Sequence, residues 1–473
     1  MTTLAAVDLG ATSGRVVLGR LGDRLELETV ARFPNRPVRT PDGLHWSILE
    51  LYRDVVEGLA AAAREAPELT SIGIDSWAVD YGLLREERLL GNPFSHRDER
   101  NEAGVEAVHA LVDPAELYAR NGLQFLPFNT VYQWTADRLA GVLDLADTAL
   151  LLPDLLAHWL TGATGAERTN ASTTGLLHVG TGEWDLELAA RLAIPGGILP
   201  PLVDPGVDLG ALQPSAARGI GATGARLTAV GSHDTASAVV AVPMTDPGEA
   251  VYISCGTWSL VGVELERPVL GEAGRIARFT NEGGVDRRIR YLHNVMGLWL
   301  LTETIRDWER DGSRIDLDEL LAAAEAITEP VPVFDADDPS LLAPGDMSAR
   351  IAGWLREHDL PVPGSRAAFA RSILESLAQA YAATIRAAAE LTGRELRVVH
   401  LVGGGSQNRL LCRLTADATG LPVLAGPAEA TAIGNLLVQA RAHGAISGDL
   451  EALRAVVARD FFIQRYEPGS PTW

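Results

Sequence analysis

The first segment that could do chemistry is a turn of small and polar residues that ends an apolar run. Residues 8–15 read Asp-Leu-Gly-Ala-Thr-Ser-Gly-Arg and follow an apolar stretch that starts at Leu4. Glycines let backbone N–H groups approach phosphate oxygens, and the hydroxyls and the guanidinium add further donors. Asp8 could hold Mg²⁺, directly or through water, because this ion takes one or two carboxylates and keeps several waters. An ordinary hairpin turn with a surface aspartate is the alternative.

A second segment repeats this plan in the other half of the chain. Residues 251–258 read Val-Tyr-Ile-Ser-Cys-Gly-Thr-Trp, an apolar run that ends in a small polar turn. Gly256 and Thr257 could bind phosphate oxygens in the same way. Taken alone, the segment is better explained as a core strand with a turn. Its match to the first turn favours a pair of phosphate-binding turns.

A third segment places a carboxylate where a strand ends and a helix is predicted to begin. Residues 231–236 read Gly-Ser-His-Asp-Thr-Ala, and a helix is predicted over 233–242. Asp234 at a helix N-terminus would be ionised and could act as a base toward a substrate hydroxyl. The alternative is that Asp234 or Ser232 caps the helix and that His233 is structural.

A fourth segment is rich in glycine and stands between a predicted buried strand and a predicted helix. Residues 402–408 read Val-Gly-Gly-Gly-Ser-Gln-Asn. Three glycines would let an adenine or a ribose lie against the backbone. The dinucleotide-binding pattern Gly-x-Gly-x-x-Gly would need glycine at position 408, which is Asn408. A plain entry loop to the helix is the alternative.

The predicted elements indicate how the first turn is held. Alternating apolar residues predict strands over 4–9, 15–21 and 25–33, an antiparallel meander with the glycine-rich turn at its first hairpin. A helix is predicted over 47–64, with Ser47 as its N-cap.

The second half restarts this plan. Strands predicted over 250–254 and 259–265 echo the first hairpin, and residues 243–248, rich in turn formers, are the predicted domain boundary. Residues 200–224, rich in Pro, Gly and Ala, are predicted to form a loop, and a helical pattern covers 295–311. The echo predicts two related domains facing a cleft.

The composition excludes several ways of handling a phosphate. The chain has 473 residues and its 40 basic residues are all arginines, so a P-loop lysine, a protein-kinase lysine and a Schiff-base amine are excluded. The net charge of -22 disfavours a nucleic-acid partner. Cys255 and Cys412 are too few for a disulfide framework or a zinc site and indicate a reducing cytoplasm. Neither a signal peptide nor a membrane span is expected.

The four segments in this order resemble the carbohydrate kinases of the FGGY family, which belongs to the actin, Hsp70 and hexokinase superfamily. The resemblance covers nearly the whole chain and is greatest to the rhamnulokinase branch. Five further stretches carry it, namely residues 73–80 (Gly-Ile-Asp-Ser-Trp-Ala-Val-Asp), 124–133 (with the aromatic run from Phe125 to Tyr132), 255–262, 281–284 and 293–300. The resemblance implies an α/β fold of two actin-like, ribonuclease H-like domains around a central ATP and sugar cleft. Residues 1–243 would bind sugar and phosphates, and residues 249–473 would bind adenosine.

The resemblance also implies roles for individual residues. Asp234 would be the catalytic base, and Asp8 remains the residue expected to hold Mg²⁺. The implied sugar contacts are Ala78, His233, Asp234, Thr235 and Asn294. The implied ATP contacts are Ala11, Thr12, Ser13, Gly14, Arg15, Thr257, Thr302 and Gly404. Ala78 stands where the family usually has glycine, and Thr302 where rhamnulokinases often carry glutamine.

The implied activity is ATP-dependent phosphorylation of L-rhamnulose to L-rhamnulose 1-phosphate in L-rhamnose breakdown. The protein would be a cytoplasmic monomer or homodimer that needs Mg²⁺ and has no nucleic-acid or membrane partner. Kinases of the same family for L-fuculose, D-xylulose or L-ribulose are the nearest alternative, followed by an actin-like or Hsp70-like ATPase that binds a protein. Polar and aromatic residues at predicted loop ends, such as Trp77, Arg97 and Asn129, favour a small sugar. A sugar-sensing regulator would need a DNA-binding helix-turn-helix, for which no segment is apparent.

Overall fold

A meander of antiparallel strands begins the chain, as predicted. The computed structural model describes residues 1–469 with the exception of 223, 311, 313 and 344. Strand β1 (Thr2–Leu9) is buried along nearly its whole length, and β2 (Ser13–Leu21) returns beside it with Asp8 opposite Arg15. Strand β3 (Leu25–Pro34) completes the meander.

The elements that follow are numbered in chain order. The further strands are β4 (Pro37–Thr40), β5 (Gly43–Trp46), β6 (Ser71–Ser76), β7 (Tyr81–Arg85), β8 (Arg88–Leu89), β9 (Thr148–Leu151), β10 (Ala166–Glu167), β11 (Leu177–His178), β12 (Glu183–Trp184), β13 (Leu202–Val203), β14 (Asp208–Ala211), β15 (Arg226–Thr228), β16 (Ala250–Cys255), β17 (Trp258–Leu265), β18 (Thr280–Gly283), β19 (Ile289–Met296), β20 (Val398–Val402), β21 (Val423–Ala425) and β22 (Gln464–Tyr466). The helices are α1 (Ile48–Glu65), α2 (Asn101–His109), α3 (Pro114–Asn121), α4 (Thr130–Leu139), α5 (Leu152–Thr161), α6 (Arg168–Ala171), α7 (Leu186–Arg191), α8 (Pro214–Ile220), α9 (Asp234–Val240), α10 (Glu272–Ile276), α11 (Trp299–Trp308), α12 (Leu317–Glu325), α13 (Met347–Glu357), α14 (Arg366–Thr392), α15 (Arg409–Thr419), α16 (Ala430–Ala442) and α17 (Leu450–Asp460). Short 3-10 helices lie at Leu143–Leu145, Gly196–Ile198, Val285–Arg287, Pro339–Leu341 and Gly404–Gln407. None of the described helices has the length and apolar character that crossing a membrane requires.

The chain divides into two units that alternate along the sequence. The first unit consists of Met1–Thr245, Leu265–Tyr291 and Ala430–Asp460. The second consists of Asp246–Glu264, Leu292–Glu429 and the chain from Phe461 onward. Helices α16 and α17 therefore belong to the first unit although they lie near the end of the sequence.

The sheet of the first unit brings distant segments to one edge. Its strand order is β14-β15-β6-β1-β2-β3, with β6 parallel to β1 and β15 parallel to β6. The carboxyl ends of parallel strands meet at the same edge of a sheet. Asp8 consequently lies opposite Asp75, and Ser76 forms a bridge to His233 after β15.

Helices α1 and α16 pack against this sheet. The predicted helix over 47–64 is confirmed as α1, with Ser47 at its N-cap, although the Ser47 side chain makes no cap hydrogen bond. Helix α16 also approaches α9 very closely. A Cβ atom on Gly434 would overlap the carbonyl oxygen of Ser237 and lie 2.7 Å from its carbonyl carbon, so this approach requires glycine.

The second unit repeats the plan of β1, β2 and β6. Strands β16 and β17 form an antiparallel hairpin, and β20 lies parallel to β16. The strand order continues through β20 to β21 and β22. The predicted echo of the first hairpin is therefore confirmed, and it places the Gly256 turn at the end of β16 as the Gly10 turn ends β1.

Two predicted elements are wrong. The segment 200–224 is not all loop, because it contains β13, β14 and helix α8, whose first residue is Pro214. Proline suits the first position of a helix, so a segment rich in this residue can start one. The helical pattern over 295–311 begins too early, because β19 extends to Met296 and α11 begins only at Trp299, after Gly297.

Candidate active site

The carboxylates of Asp8, Asp75 and Asp234 lie close to one another at the same edge of the first-unit sheet. Asp75 is fully buried, and its Oδ2 accepts a 2.6 Å hydrogen bond from the side-chain amide of Asn435 on α16. Its Oδ1 has no hydrogen-bond partner among the described residues. Burial raises the pKa of Asp75 well above its ordinary value, and the nearby charges of Asp8 and Asp234 raise it further. Burial beside two other carboxylates therefore disfavours the ionised form of Asp75, and a cation bound at this edge would favour it.

The turn after β1 is held by groups from outside it. The N–H of Gly10 donates to the carbonyl of Ser13 at 2.9 Å. Asn35 donates from its side chain to the Gly10 carbonyl at 2.9 Å and from its backbone to the Thr12 carbonyl at 3.0 Å. Sequence reasoning did not identify Asn35, whose only signal is its place just after β3. The turn is thus fixed, and Thr12 and Ser13 remain exposed.

Arg15 lies against Asp8. Its Nε donates to Oδ2 of Asp8 at 2.8 Å, and its Nη2 lies 2.6 Å from the same oxygen. Both side chains are mostly buried, so solvent and salt screen the attraction between them less than in an exposed ion pair. The guanidinium therefore neutralises one of the three carboxylates and sits at the turn predicted to bind phosphate.

Asp234 is the first residue of helix α9. The residue at the N-cap is His233, so the alternative that Asp234 or Ser232 is the N-cap is wrong. The Asp234 side chain is 33% exposed, and its Oδ1 accepts a 3.1 Å hydrogen bond from the hydroxyl of Thr235. Burial raises the pKa of Asp234; His233 and Thr235 oppose this rise, whereas Asp8 adds to it. The carboxylate is thus accessible and more basic than an ordinary aspartate.

Glu167 holds the segment before Asp234 in place. Its buried carboxylate accepts hydrogen bonds from the N–H and the hydroxyl of Ser232, at 2.9 and 2.8 Å. It also accepts the N–H and the hydroxyl of Thr169, at 2.9 and 2.5 Å. The Thr169 hydroxyl in turn accepts the N–H of His233 at 3.3 Å. Glu167 was not identified from the sequence because it lies 65 residues from Ser232.

The segment that contains Ala78 is bent and held by Asp80. Val79 has a φ of 69°, a left-handed conformation that costs energy for a β-branched residue and often marks a functional site. The buried Oδ2 of Asp80 accepts the indole N–H groups of Trp46 and Trp77, at 2.7 and 2.8 Å. Half-buried Ala78 therefore lies between Trp77, whose indole is hydrogen-bonded to Asp80, and Val79, whose backbone is in the left-handed conformation.

Part of the aromatic run at residues 125–132 packs against a group that consists of Asp80, Trp46, Trp77 and His96, called the Asp80 cluster below. The ring of Phe128 lies 5.4 Å from that of His96, measured between centroids, and His96 Nδ1 lies 2.8 Å from Oδ2 of Asp80. Phe125, by contrast, packs on His109 and is 52% exposed. Only part of the run therefore joins the Asp80 cluster.

The predicted nucleotide residues of the second unit lie on three neighbouring segments. The N–H groups of Leu298 and Trp299 donate to the carbonyls of Gly256 and Thr257, at 3.1 and 3.0 Å. This ties the turn after β16 to the start of α11, and Thr302 lies in the first turn of that helix. Thr257 and Thr302 are both exposed.

The glycine loop after β20 packs on the same turn. Gly403 has a φ of 82°, and a Cβ there would lie 2.8 Å from the carbonyl oxygen of Cys255. A Cβ on Gly405 would overlap the thiol of Cys255. The loop thus needs glycine for its close approach to the end of β16, and it leaves Gly404 exposed. Half-buried Asn294 lies on β19.

Two family models match most of the chain. The model of the FGGY family of carbohydrate kinases, N-terminal domain, matches residues 3–241, and the C-terminal domain model matches residues 251–443.

Curated relatives and solved structures agree with this match. A rhamnulokinase of Pectobacterium carotovorum subsp. carotovorum (strain PC1) is 41% identical over 471 residues, 98% of this chain and 93% of the relative. A rhamnulokinase of Bacteroides thetaiotaomicron is 37% identical over 467 residues, 98% and 95% of the two chains.

Among solved structures, a glycerol kinase of Plasmodium falciparum with ADP has a TM-score of 0.80 at 15% identity, covering 99% of this chain and 95% of that one. A xylulose kinase of Lactobacillus acidophilus has a TM-score of 0.78 at 16% identity, covering 99% and 94%. These matches confirm the expected α/β fold with two actin-like domains. With both family models and relatives of this identity along nearly its whole length, the chain belongs to the FGGY family of carbohydrate kinases.

Proposed function

We propose that this carbohydrate kinase phosphorylates L-rhamnulose with ATP, giving L-rhamnulose 1-phosphate in L-rhamnose breakdown. The sugar is supported by the rhamnulokinase relatives, which are 37% and 41% identical over 98% of the chain. The packing of Phe128 against the Asp80 cluster supports a role for the aromatic run in sugar binding.

Asp234 is proposed as the general base. The observation that carries this role is a partly exposed carboxylate at the first turn of α9, on the sheet edge that Asp8 shares. A raised pKa suits a base that works near neutral pH. As the sugar oxygen bonds to the γ-phosphorus, Asp234 takes the hydroxyl proton, and the bond to the β–γ bridging oxygen breaks to release ADP.

The other proposed sugar and ATP contacts are divided between the two units of the chain. In the first unit, Ala78, His233 and Thr235 contact the sugar, and residues 11–15 contact the ATP phosphates. In the second unit, Asn294 contacts the sugar, and the ATP contacts are Thr257, Thr302 and Gly404. The close packing of the Gly403 loop on Cys255 supports a common nucleotide role for Thr257 and Gly404. We propose that residues 1–243 bind the sugar and the phosphates and that residues 249–473 bind adenosine, with Asn294 and Thr257 of the second unit adding a sugar contact and an ATP contact.

Mg²⁺ is the proposed metal, with Asp8 as its protein ligand. Among the described residues, no group of three or more His, Cys, Asp or Glu side chains is arranged to hold a metal ion. Mg²⁺ usually takes one or two carboxylates and draws its other ligands from phosphates and water, so Asp8 could serve as its protein ligand. The unpartnered Oδ1 of Asp75 fits a water of such an ion. When bound, the ion would neutralise charge on the transferred group.

We also propose that the enzyme acts in the cytoplasm as a monomer or homodimer, without nucleic-acid or membrane partners. Its two cysteines are buried free thiols, which suits a reducing compartment. The net charge of -22 repels nucleic-acid phosphates.

A sugar panel tests the proposed substrate. ADP release measured with a coupled assay should give the highest kcat/KM for L-rhamnulose. The margin over L-fuculose, D-xylulose and L-ribulose should be on the order of 10-fold or more, because each differs from it in contacts that a fitted pocket can sense. A clearly higher kcat/KM for another ketose would reject L-rhamnulose as the substrate, but it would still support a sugar kinase. Rapid ATP hydrolysis with no response to any sugar would instead favour an ATPase that binds a protein.

The pH dependence of kcat/KM tests the base. The base must be ionised, so activity should fall as pH drops through its pKa, which lies above the ordinary aspartate value of 3.8. Thr235→Val removes a hydroxyl that stabilises the ionised carboxylate, so the acid limb should move to higher pH. Thr235→Ser keeps the hydroxyl and should leave the limb in place. An acid limb that is unmoved in the valine variant would argue against Asp234.

A further inference from the structure

A buried arginine contacts the histidine beside the proposed base. Arg290 is completely buried, and its Nη2 lies 3.0 Å from Nδ1 of His233. The same nitrogen lies 3.1 Å from Oε2 of Glu282, and the Arg290 Nε donates to the Gly283 carbonyl at 2.9 Å. These contacts fix the guanidinium plane, and all of them lie within the first unit.

The chemistry of the guanidinium decides where the His233 proton sits. Arginine carries five N–H donors and no acceptor, so a nitrogen at hydrogen-bond distance from it must accept. A proton on Nδ1 would point at an N–H of Arg290. Glu282 Oε2 could take such a proton, but it is farther from Nδ1, at 3.4 Å, and it already pairs with Arg290. Nδ1 is therefore the acceptor, and the ring N–H is at Nε2.

The protonated nitrogen faces the proposed base. Nε2 of His233 lies 3.5 Å from Oδ1 of Asp234, the same oxygen that accepts the Thr235 hydroxyl. The Thr235 hydroxyl thus hydrogen-bonds Oδ1, and an N–H at Nε2 faces the same oxygen from a longer distance, which leaves Oδ2 to accept a proton from a substrate. The orientation of the carboxylate depends on a donor at Nε2 and hence on the tautomer of His233.

We propose that Arg290 is a positioning residue that fixes the Nε2–H tautomer of His233 and, through it, the orientation of the Asp234 carboxylate. The inference rests on the proposed function, because it assigns a task to the neighbour of the proposed base. Glu282 supplies the charge that allows a guanidinium to be buried here. Burial alone would raise the pKa of Glu282, but the positive charge of Arg290 holds it below its ordinary value.

The tautomer can be measured directly on the unmodified protein. NMR of the protein with ¹⁵N-labelled histidine distinguishes a bare ring nitrogen from a protonated one, and the His233 signals are assigned by their loss in His233→Gln. We expect a bare Nδ1 and a protonated Nε2. A proton on Nδ1 would overturn the proposal, whatever the activity of any variant.

A double-mutant cycle tests whether Arg290 acts through His233. Glu282→Gln is the parent, since it avoids leaving a buried charge unpaired when Arg290 is removed. In this parent, Arg290→Met should lower kcat on the order of 10- to 100-fold, by analogy with the loss of a partner that orients a metal-bound imidazole. The KM for ATP should stay unchanged. Arg290→Lys, which keeps a cationic donor, should recover part of the loss.

The second arm of the cycle repeats the change in a His233→Gln background. Glutamine carries its own amide donor, so its N–H no longer depends on Arg290, and Arg290→Met should have little further effect. The matched control is Arg288→Met, which removes a neighbouring arginine that is 28% exposed and pairs with Glu451; kcat should not change.

Two outcomes separate this inference from the proposed function. An equal loss of kcat in both backgrounds means that Arg290 is merely structural, and the inference fails while the function stands. Normal turnover by Asp234→Asn rejects the proposed base, and the inference that rests on it. The NMR arm still decides the tautomer if the double variant does not fold.

Discussion

Asp234→Asn is expected to lower kcat by about 10²–10⁴-fold, the range that a general base contributes. The amide is nearly the same size as the carboxylate, and its oxygen can still accept the Thr235 hydroxyl that Oδ1 now accepts. It cannot take a proton from the sugar. Sugar binding should therefore survive, and the loss should appear in kcat rather than in KM. Steady-state ADP release and equilibrium sugar binding by calorimetry measure the two quantities.

A matched control for this variant is Asp208→Asn. Asp208 lies on β14, is 48% exposed and pairs with Arg226, so the same chemical change there should leave kcat unaltered. Near-normal turnover by Asp234→Asn would falsify the assignment of the base. A loss of sugar binding equal to the loss of kcat would show instead that Asp234 only binds substrate.

Gly434→Ala is expected to destabilise the protein by about 1–3 kcal/mol or more, the cost of overpacking a core. The added Cβ would lie 2.7 Å from the carbonyl carbon of Ser237 and closer still to its oxygen. These are backbone atoms of α9, so no side-chain rotation relieves the overlap. Helix α9 must move, and it begins at Asp234. Both the free energy of unfolding in urea and kcat should fall.

A glycine in open space provides the control for this substitution. Gly353 lies inside helix α13, and an added Cβ would meet nothing within 4 Å. Gly353→Ala should therefore stabilise its helix by about 0.5–1 kcal/mol, the propensity difference between the two residues. Wild-type stability and turnover in Gly434→Ala would contradict the close approach of α16 to α9.

The sequence was sufficient to predict those parts of the site that are formed by residues adjacent in the chain. The strands around residues 8–15 and 251–258 were predicted because their buried stretches are continuous in the chain. The helix at Asp234 was predicted from its own periodicity. The start of α11 was misplaced because one apolar pattern can fit both a buried strand and a helix. The assigned roles of these residues in sugar and ATP binding remain predictions.

The groups that hold the site in place came only from the tertiary structure. Glu167 reaches Ser232 across 65 residues, Arg290 reaches His233 across 57, and Asn435 reaches Asp75 across 360. Hydrogen bonds between residues so far apart leave no periodicity or spacing along the chain.

The sequence by itself therefore determined the kind of chemistry: small turns at strand ends, a carboxylate at a helix start, and a chain without lysine. Each of these depends on a few adjacent residues and on backbone conformations that glycine permits. The tertiary structure decided which oxygen of Asp234 is held, that Arg290 contacts Nδ1 of His233, and that Arg15 pairs with Asp8. Those are properties of contacts between separate elements, and only the folded sheet edge brings the elements together.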